Sequence, residues 1–151
     1  MGQRHAQNFQ TLGQSVSLAD IEDSLENALD KRPDACVIAT PARTHVPIAL
    51  KVSERKIPFL VEKPLSHNLN GLDILERNSK DIVNMVACNL RFHPAYKLLA
   101  KLGSRDMGKV LIRANFGYDY NKWKGVNQRG EGEGIELEAG THELDYIDWG
   151  F

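Results

Sequence analysis

The sequence predicts an α/β fold, a parallel sheet flanked by helices, running into the start of an α+β unit with a mainly antiparallel sheet. Three observations predict it. Short apolar runs at 35–40, 57–61 and 82–87 alternate with helical patterns. The connections between them are short, as right-handed parallel crossovers require. After Cys88 the alternation stops, and a longer segment at 110–120 shows the partial alternation of a sheet covered on one face.

The elements follow in order. Residues 3–12 carry a helical pattern that stops at Gly13. Leu18, Ile21, Leu25, Ala28 and Leu29 fall on one face of a second helix, with Pro33 just beyond its end. The run at 35–40, closed by Thr40-Pro41, reads as a strand buried on both faces of a parallel sheet. Thr44 is placed to cap a helix reaching Lys56, with Pro47 tolerated in its first turn. After the strand at 57–61, Ser66 or Asn68 caps a helix carrying Leu69, Leu72 and Leu75. The third strand is 82–87. A helix with Tyr96, Leu98, Leu99 and Leu102 then leads to Gly103. A polar, Gly-rich stretch fills 122–134, and 142–149 closes the chain as an apolar-acidic helix. The boundary falls near Cys88–Asn89, giving domains at 1–88 and 89–151.

Composition bounds the function. The 151 residues make room for one ordinary domain or for pieces of two. Hydrophobic residues at 42% and charged residues at 26% fit a folded, soluble protein. Nineteen basic against 20 acidic residues, a net charge of -1, give no pull toward nucleic acid or an anionic membrane. No apolar run approaches the roughly 20 residues that span a bilayer. The polar opening MGQRHAQNFQ holds no signal-peptide core, so a cytoplasmic location is expected. Cys36 and Cys88 each sit in an apolar run and are expected to be reduced core thiols. Neither has partners at metal-ligand spacing, so no metal is expected.

Four segments carry chemistry. Val61-Glu62-Lys63-Pro64 delivers a charged pair to the carboxyl end of a strand, where ligands of open α/β sheets sit. A lysine there can hold a substrate hydroxyl or, with its pKa lowered, exchange a proton. Pro64 restricts the backbone of Lys63. The alternative is a surface lysine at an ordinary strand exit. Ala39, Thr40 and Pro41 end the preceding strand with a small residue and a hydroxyl, which lets a flat cofactor approach the backbone. His45 follows and is placed either to stack near that cofactor or to be solvated in a first helical turn. Glu138 and His142 share a face if their segment is helical, and a carboxylate orienting an imidazole makes a competent proton acceptor. The alternative there is a helix start with capping residues. Gly2, followed by Gln3 and Arg4, opens a helix and allows a phosphate to approach free backbone N–H groups. Taken alone, it is merely a chain start.

In this order the segments resemble the glucose–fructose oxidoreductase, inositol dehydrogenase and rhizopine-catabolism family (Gfo/Idh/MocA). The carriers are GQRH at 2–5, ATP-ARTH at 39–45, VEKP at 61–64, NLRFHP at 89–94 and EAGTHELD at 138–145. The resemblance implies a Rossmann domain followed by an α+β domain, and hydride transfer between NAD or NADP and a sugar, polyol or sugar derivative. It implies that Lys63 touches both nicotinamide and substrate, with Pro64 its rigid neighbour, and that His142 handles the hydroxyl proton. Gly2 matches the last glycine of the dinucleotide loop. Thr40, Pro41, His45 and Glu62 match the nicotinamide ribose side, and Asn89 and Arg91 the entry to the second domain.

The departures carry expectations too. The first strand and the first two glycines of the family's G-x-G-x-x-G loop are absent. The span from Gly13 to Asp20 has no room for the strand whose acidic end binds the adenosine ribose. The family's aspartate four residues before the histidine is Glu138, a longer arm. These departures leave a second reading, a catalytically inactive truncated remnant or a non-catalytic nucleotide- or sugar-binding scaffold. A sheet short of strands exposes an edge, so a homo-oligomer is expected.

Overall fold

Three short parallel strands organise the first part of the chain: β1 (Cys36–Ile38), β2 (Phe59–Val61) and β3 (Asn84–Val86), in the order β1-β2-β3. Ile38 lies opposite Val61, and Val61 opposite Val86. The computed structural model describes residues 1–20, 22–102 and 140–150. The expected strand at 110–120, the Gly-rich stretch at 122–134, Ile21, Gly103 and Glu138 lie outside the described residues. The chain divides into two compact units, Met1–Ala87 and Cys88–Phe151.

Each strand is shorter than the apolar run that holds it. Side chains alternate across a strand. Ile38, Phe59 and Val61 therefore share one face, where they pack with Leu29, Val46, Ala49, Val52, Ile57 and Leu75. Each large aliphatic side chain buried there contributes roughly 1.5–3 kcal/mol. The opposite face carries Val37 and Met85, which are 37% and 47% exposed. The expectation of a first strand buried on both faces is thus corrected for β1. Among the described residues it is an edge strand covered on the Ile38 side, and β2 in the centre is the best-buried strand.

The helices show which local signals won. Helix α1 (Gly2–Thr11) runs to Leu12 and Gly13, the latter at φ +78. Helix α2 is shorter than expected, Leu25–Asp30, because the Ser24 hydroxyl accepts from the Asn27 N–H and starts the helix there. Leu18 is left outside it, 65% exposed. A 3-10 turn, Ala42–Thr44, leads into α3 (His45–Glu54). Thr44 does not cap α3 through its side chain. Its hydroxyl instead donates to the Pro41 carbonyl at 2.7 Å and pairs with the Thr40 hydroxyl at 2.8 Å. Neither Ser66 nor Asn68 caps α4 (Leu72–Ser79). Ser66 Oγ accepts from the Asn68 amide and Asn68 Oδ1 from the Asn70 amide, which makes a turn instead. Gly71 then starts the helix at φ +77, where an added Cβ would lie 3.3 Å from Val46 Cγ1. The Asn84 side chain ties down the end of α4, donating to the Ser79 carbonyl at 3.1 Å and the Ile82 carbonyl at 2.8 Å.

Among the described residues, two non-glycines occupy the left-handed region, Arg32 at φ 50 after α2 and Lys56 at φ 58 after α3. Both turn the chain from a helix into the start of the next strand. In the second unit, a 3-10 turn (Asn89–Phe92), α5 (Pro94–Leu102) and α6 (Gly140–Gly150) pack on one another.

Candidate functional site

Because the strands are parallel, their carboxyl ends share one edge of the sheet. Ala39, Thr40 and Pro41 follow β1 there, and Glu62, Lys63 and Pro64 follow β2. The ladder extends one step past the strands, with the Glu62 N–H donating to the Ile38 carbonyl at 2.9 Å. The amino end of α1 reaches the same edge. A Cβ added to Gly2 would stand 3.9 Å from the Ala39 Cβ, an ordinary contact. The Met1 carbonyl accepts from the Arg4 and His5 N–H groups, so the amides of Gly2 and Gln3 precede the first intrahelical donor. Gln3 and Arg4 are exposed on this first turn, and Thr40 and Pro41 are exposed at the strand end.

Two histidines brace the Glu62-Lys63-Pro64 turn, whose Lys63–Pro64 peptide is cis. His5, from α1, is 2.7 Å from Glu62 Oε1, with the two side chains 21% and 13% exposed. Glu62 Oε2 in turn accepts from the Lys63 N–H at 3.3 Å. His45 is 1% exposed. Its Nδ1 lies 2.8 Å from the Pro64 carbonyl and its Nε2 2.7 Å from the Thr40 carbonyl. The solvated reading of His45 is therefore corrected, because the ring is sealed beneath the turn with a backbone carbonyl facing each nitrogen. Pro64 is buried and Lys63 half-buried. The structure thus gathers Gly2, Ala39, Thr40, His45, Glu62, Lys63 and Pro64 at one edge. His5 was not singled out as a site residue. Its only sequence signal is its place three residues after Gly2 in GQRH.

In the second unit Asn89 is exposed, and Arg91 is engaged by Asp145 from α6. The guanidinium Nε donates to Asp145 Oδ2 at 2.9 Å, and Nη2 donates to Oδ1. The same guanidinium lies 5.9 Å from the centroid of the Trp149 ring. The Arg91 hydrogen bonds hold the Asp145 carboxyl below the ordinary carboxylate range against the opposing effect of burial, and the Cys88 thiol also bonds to it. Asp145 in turn holds the Arg91 guanidinium above its usual range. His142 is half-buried one turn before Asp145, where its charge would help keep that carboxyl ionised. Burial pushes the Cys36 thiol up, so it stays protonated, as expected of a core thiol.

Residues 1–89 match the family described as an oxidoreductase family with an NAD-binding Rossmann fold, GFO_IDH_MocA. The chain belongs to this family. An inositol 2-dehydrogenase of Mycolicibacterium smegmatis is 32% identical over 96 residues, 61% of this chain and 28% of the relative. The scyllo-inositol 2-dehydrogenase (NAD(+)) of Bacillus subtilis is 28% identical over 127 residues, 82% of this chain and 37% of the relative. The chain therefore spans well under half the length of these curated family members. Among solved structures, the myo-inositol 2-dehydrogenase of Lactobacillus plantarum superposes with a TM-score of 0.69 at 20% identity, over 83% of this chain and 40% of that one. That likeness shows the Rossmann fold of the family in this chain. Among the described residues no helix is long and apolar enough to cross a membrane, and no His, Cys, Asp and Glu cluster could hold a metal ion.

Proposed function

We propose that the chain supplies the nicotinamide side of an NAD(P)-dependent oxidoreductase that acts on a secondary hydroxyl of a sugar, polyol or sugar derivative. One observation carries the reading. The amino end of α1, the Ala39-Thr40-Pro41 strand end and the Glu62-Lys63-Pro64 turn converge on the carboxyl edge of one parallel sheet. The donor set fits a dinucleotide. Unpaired first-turn amides favour a phosphate, small residues at a strand end allow a flat ring to approach, and a half-buried lysine suits a polarised oxygen.

When bound, the nicotinamide supplies the hydride chemistry. The chain's own residues bind and orient. Gly2, Gln3 and Arg4 hold the diphosphate, while Ala39, Thr40, Pro41 and Glu62 line the ribose. The Lys63 amine polarises the substrate oxygen, and a ring nitrogen of His142 takes the hydroxyl proton, with Glu138 orienting that ring. Asn89 and Arg91 are further candidates for contact with the nicotinamide. The dehydrogenase names of the relatives support the substrate class, and a polyol such as inositol is the first to try. The edge of β1, paired only with β2 among the described residues, supports self-association of the chain. The reduced thiols fit a cytoplasmic setting.

The test is a titration with NADH and with NADPH, read by calorimetry and by nicotinamide fluorescence. Saturable binding of either is expected, and no binding at millimolar nucleotide would end the reading. Gly2→Ala sharpens it. An added Cβ meets the protein only at ordinary contact distance, so the fold should survive while nucleotide affinity falls several-fold.

A further inference from the structure

We propose that His45 is a positioning residue. Its buried ring, seated at the start of α3 beside the Thr40 strand end, holds the Pro64 carbonyl and so sets where Lys63 stands. The meaning of that position rests on the nicotinamide reading above, but the hold on Pro64 does not.

At 1% exposure the ring offers no face to a cofactor, and both of its nitrogens lie within 2.8 Å of backbone carbonyls. Those carbonyls belong to two different strand ends, five residues before His45 and 19 residues after it. One side chain at the start of α3 therefore lies between the loop after β1 and the loop after β2. The two contacts are not equivalent. Thr40 is exposed, so water can satisfy its carbonyl if the ring is lost. Pro64 is buried, and losing the ring leaves its carbonyl without that donor in a dry place, where an unpaired group is costly. A neutral imidazole carries one N–H donor, so it can donate to only one of the two carbonyls; the protonated ring donates to both. In the neutral ring the Pro64 carbonyl has the stronger claim on that donor. Lys63 sits between two fixed points, Glu62 held by His5 and Pro64 held by His45.

The experiment compares His45→Asn, His45→Gln and His45→Leu in the full 151-residue chain. The amide of Asn overlies Nδ1 and can keep the Pro64 bond. The amide of Gln reaches toward Nε2 and can keep the Thr40 bond. Leu fills much of the space and keeps neither. Amide hydrogen exchange at Glu62, Lys63, Leu65 and Ser66 is measured without nucleotide, and NADH affinity is measured alongside. Gln and Leu should speed exchange at these four amides by about tenfold, while Asn stays close to the parent. NADH affinity should follow the same order. Equal acceleration in all three variants, or acceleration spread evenly over Met1–Ala87, would overturn the proposal. If Leu does not fold, the Asn–Gln pair decides. If the exchange pattern holds and NADH binds none of the four proteins, positioning by His45 stands and the nucleotide reading falls.

Discussion

The two units hold their functional residues by different physics. In the first, the turn around Lys63 rests on a packed apolar face and on a buried imidazole facing backbone carbonyls. In the second, the turn at Asn89–Phe92 is tied to α6 by an ion pair, Arg91 with Asp145, over which Trp149 lies. The first arrangement depends mostly on shape, with one His5–Glu62 contact beside it. The second depends on charge, with one partner 40% exposed and the other 13%. Core packing locates a backbone turn, whereas a charged pair locates the helix that carries His142.

Mutations should separate the two regimes. Phe59→Ala should have the largest effect. Its ring is 6% exposed in the centre of the sheet, and its removal should cost about 3–4 kcal/mol, read from urea unfolding of the chain. A loss below about 1 kcal/mol would show that the core face does not carry the first unit. Arg91→Met should come next, at about 1–2 kcal/mol after allowing for solvent screening.

Acid should mimic the Arg91 change. The folded Asp145 carboxyl is held low, so its pairing stabilises the unit fully above the ordinary aspartate value near 3.9. That contribution is lost as pH falls below this value and through the lowered one. Trp149 fluorescence in a Trp123→Phe background should follow the transition, and Arg91→Met should abolish it. A transition unchanged by Arg91→Met would place the titrating contact elsewhere. The smallest effect belongs to Glu26, which bonds Lys51 and Arg55 on the surface between α2 and α3. The Lys51 bond first, then that of Arg55, draws the Glu26 carboxyl down, yet the cluster is solvated. Glu26→Gln should not move the denaturation midpoint beyond scatter, in low salt or high.

Much of this was legible in the sequence where the signal is local. The strands lie inside the apolar runs at 35–40, 57–61 and 82–87, and α1, α3 and α5 within a few residues of their patterns. The order of ATP, EKP and the closing histidine carried the family. Boundaries were misread where a short polar side chain had two uses. Ser24 starts a helix inside a periodic stretch, and Ser66 and Asn68 close a turn rather than cap α4. The contacts that define the site were hidden for another reason. His45 binds main-chain oxygens, which leave no mark in a sequence, and the partners of His5 and Arg91 lie 57 and 54 residues away.

The turns at Arg32 and Lys56 divide the sheet's two edges by purpose. Both stand where strands begin, opposite the edge that gathers Gly2, Thr40 and Lys63. Anything spliced in beside them, such as a reporter peptide or an immobilisation handle, would hang from the back of the first unit. Glycine at either position would ease the left-handed backbone and accept such a graft. This makes the amino edge the natural handle for anchoring the chain to a surface while the carboxyl edge of the sheet stays open.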